Sequence, residues 1–116
     1  MSKKSTKTEK RFRVKRRIRA KITGTAERPR LAVFRSNSRI YAQLIDDTSG
    51  KTIASASDIK NTKGSPMERS KEVGKAIAEN GKKAGVTKVV FDRGGFKYTG
   101  RIKELAESAR ANGLTF

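Results

Sequence analysis

Leu31-Ala32-Val33-Phe34 and Ile40-Tyr41-Ala42-Gln43-Leu44-Ile45 are short apolar runs, rich in β-branched and aromatic side chains, on either side of Arg35-Ser36-Asn37-Ser38-Arg39. Ser and Asn favour turns, so the three segments together predict a β-hairpin. Upstream, Pro29 pushes Arg28 into an extended conformation and leads the chain into the first strand. Downstream, Asp46-Asp47-Thr48-Ser49-Gly50 reads as a second turn and residues 51–57 as a weaker third strand. An antiparallel meander follows.

Residues 58–66 are polar and contain Gly64 and Pro66, which predicts a connecting loop. Ser65-Pro66-Met67-Glu68 then announces a helix: Ser65 as cap, Pro66 in the first turn, Glu68 completing a capping box. On that helix Ser70, Val73, Gly74, Ile77, Ala78 and Gly81 share one small or apolar face, suited to close packing on a sheet. Lys82 and Lys83 complement the C-terminal dipole, and Gly85 suits a left-handed cap. Val86-Thr87-Lys88-Val89-Val90-Phe91 reads as a strand buried on both faces. A last helix is expected from about Gly100 to Ala111, with Ile102, Leu105, Ala106 and Ala109 inward, Gly113 as stop and Leu114 as its hydrophobic contact. The predicted fold class is α/β: a mixed sheet, made of a three-strand antiparallel meander plus one strand added through a helix, flanked by helices.

Charge is distributed unevenly around this domain. Residues 1–30 carry thirteen Lys and Arg (Lys3 and Lys4 among them) against only Glu9 and Glu27, so +11 of the net +18 lies there. We read residues 1–27 as a basic arm and 28–116 as the globular domain. Within the arm Val14, Ile18 and Ile22 recur every fourth residue on one narrow stripe, too little to stabilise an isolated helix. The arm is therefore expected to be partly helical and to order on a polyanion. Nucleic acid is the natural polyanion, because releasing its condensed counterions drives binding by Lys and Arg. Lys10, Arg11, Arg13, Arg16, Arg17 and Arg19 are the arm's candidate phosphate contacts. A solvated tail and a lipid-surface helix are the alternatives; the stripe lacks Trp and Leu, which favours RNA.

Composition removes several classes of function. With 116 residues, 34% of them hydrophobic, the chain has room for one modest core. It has neither Cys nor His, so thiol nucleophiles, disulfides, the common zinc sets and the usual proton shuttle are absent. No apolar run approaches the roughly 20 residues that span a bilayer. A secretory signal is not expected at the N-terminus; its Arg-rich, acid-poor composition leaves a transit peptide as the alternative to a cytoplasmic protein.

Two loops carry the candidate site. Asp92-Arg93-Gly94-Gly95-Phe96-Lys97-Tyr98-Thr99-Gly100-Arg101 joins the last strand to the last helix. Arg93, Lys97 and Arg101 suit phosphates, Phe96 and Tyr98 suit base stacking, and Gly94 and Gly95 let backbone approach a ligand. The structural alternative is a turn with both aromatics tucked into the core. The hairpin loop offers Arg35, Ser36, Asn37 and Arg39 for phosphate and sugar hydroxyls, with Tyr41 just beyond. Asp46, Asp47, Asp58 and Asp92 raise a metal-dependent nuclease, which needs clustered carboxylates. Three of them fall in turns or loops, so turn roles are expected and no metal or cofactor is assigned.

With these residues in hand, the chain resembles the bacterial members of the large-subunit ribosomal protein eighteen family. The resemblance rests on Arg28-Pro29-Arg30-Leu31, on Val33-Phe34-Arg35-Ser36-Asn37 followed by Ile40-Tyr41-Ala42-Gln43, and on a closing block. That block comprises Val90-Phe91-Asp92-Arg93-Gly94, Tyr98, Gly100-Arg101 and Ala109-Arg110-Ala111-Asn112-Gly113-Leu114. Many members carry His where this chain has Arg39 and Thr99. The resemblance implies a three-layer, ribonuclease H-like arrangement without nuclease activity. It also implies binding of 5S ribosomal RNA and its attachment to 23S ribosomal RNA in the central protuberance of a cytoplasmic bacterial ribosome. Neighbouring large-subunit proteins, ribosomal protein five among them, would be further partners. Carried over residue by residue, it marks Arg30, Arg35, Ser36, Asn37, Tyr41, Arg93, Gly94, Tyr98 and Arg101. A nucleic-acid chaperone without a fixed target is the alternative function. Deleting residues 1–24 is expected to leave the domain folded.

Overall fold

The hairpin lies at the centre of the sheet in a computed structural model that describes residues 6–60 and 63–116. Lys3, Lys4 and residues 61–62 of the connecting loop lie outside the described residues. The element order is α1 (Lys7–Arg19), β1 (Arg30–Arg35), β2 (Ile40–Asp46), β3 (Lys51–Ser57), α2 (Pro66–Lys83), β4 (Val90–Asp92) and α3 (Gly100–Ala111). The strands stand in the order β3-β2-β1-β4, antiparallel except for the parallel β1–β4 pair. The sequence predicts this mixed α/β topology.

Register decides which face is core. Leu31 pairs with Leu44 and Val33 with Ala42, and all four are buried with Ile40. Val73 and Ile77 of α2 and Ile102, Leu105 and Ala109 of α3 complete one apolar cluster with them. Each fully buried Leu or Ile contributes about 1.5–3 kcal/mol. The alternate residues, Ala32, Phe34, Tyr41, Gln43 and Ser55, share the opposite face, where Phe34 is 51% exposed. Both α2 and α3 cover the same side. On the other face α1 approaches, its Lys15 and Arg19 lining a pocket with Ala32, Phe34, Tyr41 and Gln43, while Phe34 stays open to solvent.

Local signals set the helix ends. Ser65 and Glu68 exchange both bonds of the capping box, at 3.2 and 3.3 Å. Gly85 takes φ +80° while Val86 N–H returns to the Gly81 carbonyl at 2.8 Å. Gly74 serves helix–helix contact instead of helix–sheet contact: a Cβ there would stand 2.3 Å from the Leu105 carbonyl oxygen of α3.

The fourth strand is shorter than its apolar run predicts. Only Val90–Asp92 pair with β1, and before them Val86 and Val89 are buried while Thr87 and Lys88 are exposed. That stretch bonds instead to the C-terminal residues, with Val89 N–H donating to Thr115 at 3.0 Å and Thr115 N–H to Thr87 at 2.8 Å. The helix of the arm likewise stops at Arg19, so Ile22 lies beyond the stripe that begins with Val14 and Ile18.

Candidate nucleic-acid interface

An ion-pair latch joins the arm to the sheet. Arg30 grips Asp47 with two nitrogens, Nε at 3.0 Å and Nη2 at 3.1 Å, and reaches Asp92 Oδ2 with Nη1 at 2.8 Å. Burial opposes the guanidinium's charge, but the bonds from Asp47 and Asp92 outweigh it and hold the Arg30 pKa above its ordinary value. Asp47 also accepts from Gly24 N–H at 2.7 Å and lies 3.4 Å from Arg19 Nη1. Chiefly through Arg30, and then the Gly24 N–H, its carboxyl is held down at about 2. Gly24 is buried in this contact and its carbonyl accepts from Asp47 N–H at 3.0 Å, so Gly24 bonds into the domain. Arg30, a candidate RNA ligand in the sequence, is committed inside the fold with a side chain 12% exposed.

Asp92 also accepts from Gly94 N–H at 2.8 Å, which starts the turn into the 93–99 loop. There α1 docks directly on the glycine pair. Gly95 has φ +83°, and a Cβ on it would lie 2.4 Å from the Arg11 carbonyl oxygen. The freedom read as space for a ligand is used by the chain's own helix. Arg11 stands 4.8 Å from the centroid of the Phe96 ring, and Arg35 approaches the same ring at 5.8 Å. Phe96 is itself a core residue, 9% exposed, edge-on to Phe34 and covered by Arg11, so only a small part of its ring reaches the surface. Tyr98 also turns inward, edge-on to Phe91, with its hydroxyl accepting from Arg110 at 3.3 Å. The stacking role expected of Phe96 and Tyr98 gives way to the packing alternative.

What α1 and the loop build together is a groove of about 540 Å³. Lys7, Lys10, Arg11, Arg93 and Lys97 supply its charge, and Val14, Gly95 and Phe96 its apolar floor. Five cations and, among the described residues, no carboxylate line it. Arg93 also staples the loop by donating to the Phe96 carbonyl at 3.0 Å. Elsewhere on α1, Arg13, Arg16 and Arg17 are exposed, Arg16 lying 5.8 Å from the exposed Phe12 ring.

The hairpin loop converges on the same end of the sheet. Arg101 Nη1 donates to the Asn37 carbonyl at 3.2 Å. Ser36 spends its hydroxyl on Arg39 N–H at 3.1 Å within the turn, leaving Asn37 and Ser38 exposed. The open aromatic pair is Phe34 and Tyr41, 6.2 Å apart on the uncovered sheet face beside Gln43 and Ser55. Sequence alternation with Leu31 and Val33 places Phe34 outward, although the basic-loop pattern does not single it out.

Each aspartate has its own structural task. Asp46 closes the turn on Thr48 and Ser49, Asp47 and Asp92 hold Arg30, and Asp58 accepts from Ile40 N–H at 3.0 Å while pairing with Arg69. Among the described residues no three acidic, His or Cys side chains gather as a metal site. On the helices, Lys71 pairs with the half-buried Glu104 at 3.7 Å and Lys103 with the exposed Glu107 at 4.0 Å.

Comparison with known proteins places this geometry. The family described as ribosomal L18 of archaea, bacteria, mitochondria and chloroplasts matches residues 5–116. Large ribosomal subunit protein uL18 of Lactobacillus delbrueckii subsp. bulgaricus is 56% identical, with the whole of both chains covered. The protein of that name from Lactobacillus johnsonii is 57% identical over the full length of both. That of Bacteroides thetaiotaomicron is 53% identical across 97% of this chain and 99% of its own. The chain thus belongs to the ribosomal L18 family, whose members are structural, non-enzymatic components of the large ribosomal subunit.

Proposed function

We propose that the chain binds 5S ribosomal RNA and fastens it to 23S ribosomal RNA in the central protuberance of a cytoplasmic bacterial ribosome. In this reading the arm lies between the two RNAs, and the open sheet face and hairpin loop hold 5S RNA. Neighbouring large-subunit proteins, ribosomal protein five among them, complete the surroundings. The groove shared by α1 and the 93–99 loop carries the proposal, because its five cations have no counter-charge of their own. Phosphate neutralisation there, with aromatic contact at Phe34 and Tyr41, matches how structured RNA is held.

The test is a salt titration of 5S RNA binding followed by fluorescence anisotropy. About eight phosphate contacts predict a loss of roughly 10³-fold or more between 50 and 200 mM salt. A flat dependence overturns the reading. Equal affinity for an unrelated structured RNA at physiological salt replaces it with a chaperone lacking a fixed target.

A further inference from the structure

The sheet has two edges, and the chain closes only one of them. Beside β4, Val89 N–H donates to the Thr115 carbonyl and Thr115 N–H to Thr87, so C-terminal residues pair that side. The other edge is β3. In an antiparallel ladder, successive residues turn their main-chain groups alternately towards the neighbouring strand and away from it. Asp58 N–H donates to the Ile40 carbonyl at 3.3 Å, which sets Ala56 and Ala54 facing β2. Ser55 and Ser57 therefore point their N–H and C=O groups outward. The Ser55 carbonyl agrees, accepting from Asn80 Nδ2 of α2 at 3.1 Å. Among the described residues no other group bonds to that outward row.

Proteins ordinarily blunt such an edge with charge, proline or a bulge. The irregularity of β3 lies opposite Leu44 and Ile45, and from Thr52 to Ser57 the strand carries neither charge nor Pro. Its side chains at 54–57 are all Ala or Ser, so another backbone can come close. Alongside lies a cavity of about 630 Å³ whose lining includes Ser55, Ser57, Asn80, Lys60 and the exposed Ile59. Lys51 opens the strand and Lys60 follows it.

We propose that the outer edge of β3 takes an extended, acidic segment of another protein as a fifth strand of the sheet. Main-chain bonds to Ser55 and Ser57 hold it, as in other cases of strand addition. An apolar side chain enters the cavity against Ile59, and carboxylates meet Lys51 and Lys60. A second copy fits poorly. Two β3 strands paired antiparallel about Ser55 bring Lys51 of each beside Lys60 of the other, and each chain carries +18. This edge goes beyond the RNA-binding reading and does not depend on it.

The full-length chain tests this with a blocked peptide of about eight residues, a usual strand length, alternating valine and glutamate, and with its valine–lysine counterpart. In NMR titrations the Ser55 and Ser57 amides should shift and gain protection from exchange. The acidic peptide should bind about tenfold more tightly than the basic one. Ser57→Pro removes an outward N–H and no bond to β2, so it should keep its thermal transition yet weaken the acidic peptide about tenfold. Ala56→Pro strikes the bond to β2 and should lower the transition. If Ser57→Pro unfolds as readily as Ala56→Pro, the outward assignment is wrong. Shifts confined to the arm groove, or equal binding of both peptides, overturn the proposal. A concentration-dependent dimer that Ser57→Pro abolishes replaces the partner with a second copy.

The chain has no Cys, so a photo-crosslinker on Ser57→Cys reports from one position in assembled large subunits. An adduct with a carboxylate-bearing segment of another protein is expected. Adducts with RNA alone, or none, overturn the assignment.

Discussion

Replacing Asp47 with Ala should unlatch the arm, and the cost can be worked in two ways from the same contacts. The first is geometric. Arg30 loses contacts at 3.0 and 3.1 Å, and Gly24 N–H loses its acceptor at 2.7 Å. Removing one partner of a buried ion pair costs about 3–5 kcal/mol. Arg30 keeps Asp92 at 2.8 Å and is 12% exposed, which brings the figure down to about 2–3 kcal/mol. The second is linkage. A carboxyl held at about 2 in the folded state, against roughly 3.9 unfolded, stabilises the fold by about 2.5 kcal/mol at neutral pH. The two agree. For a chain of this size the melting temperature should fall by roughly 8–12 °C at pH 7. Because the folded pKa is depressed, this stability is complete above about pH 4 and lost as pH falls towards 2. The gap between the native chain and the variant should shrink to about half by pH 3. Thermal unfolding followed by circular dichroism at pH 7, 4 and 3 measures it. A drop below about 3 °C at pH 7, or a gap independent of pH, would refute the latch.

Gly95→Val places a side chain against the Arg11 carbonyl at a φ of +83° and should dislodge α1. The positive φ alone costs about 1–2 kcal/mol, and limited proteolysis within residues 7–19 should accelerate as 5S RNA affinity falls; unchanged cleavage would contradict helix docking. Phe34→Ala removes a half-exposed ring, so stability should change by under about 1 kcal/mol. If a base stacks there, RNA binding should weaken roughly 5- to 150-fold; anisotropy at fixed salt decides, and unaltered affinity removes the sheet face from the interface. Gly74→Ala forces α2 from α3 and should destabilise by about 1–3 kcal/mol without touching RNA contacts, read from urea unfolding. No shift in midpoint would mean that the helix pair relaxes freely.

Sequence patterns carried the elements well wherever the physics is local. The Ser65–Glu68 capping box, the left-handed Gly85 and the alternating hairpin all act within a few residues, and each forms as its residues predict. Contacts between distant segments left no such trace. Nothing periodic links Arg30 to Asp92, 62 residues on, or Val89 to Thr115, which takes over the ladder and shortens β4. The candidate site divides along the same line. Composition marked both loops and the arm as basic, but it counts every cation alike. Geometry separates them: Arg30 is spent on two aspartates, while Lys10 and Lys97 line an acid-free groove. The glycine pair shows why motif chemistry alone misleads here. Gly94 and Gly95 do admit a close neighbour at positive φ, as such residues should. That neighbour of Gly95 is α1, and docking turns the charged arm from a tail into one wall of the groove. The proposed RNA surface is therefore a product of tertiary structure. Its cations could be counted from the chain, but its shape depends on how the arm folds back.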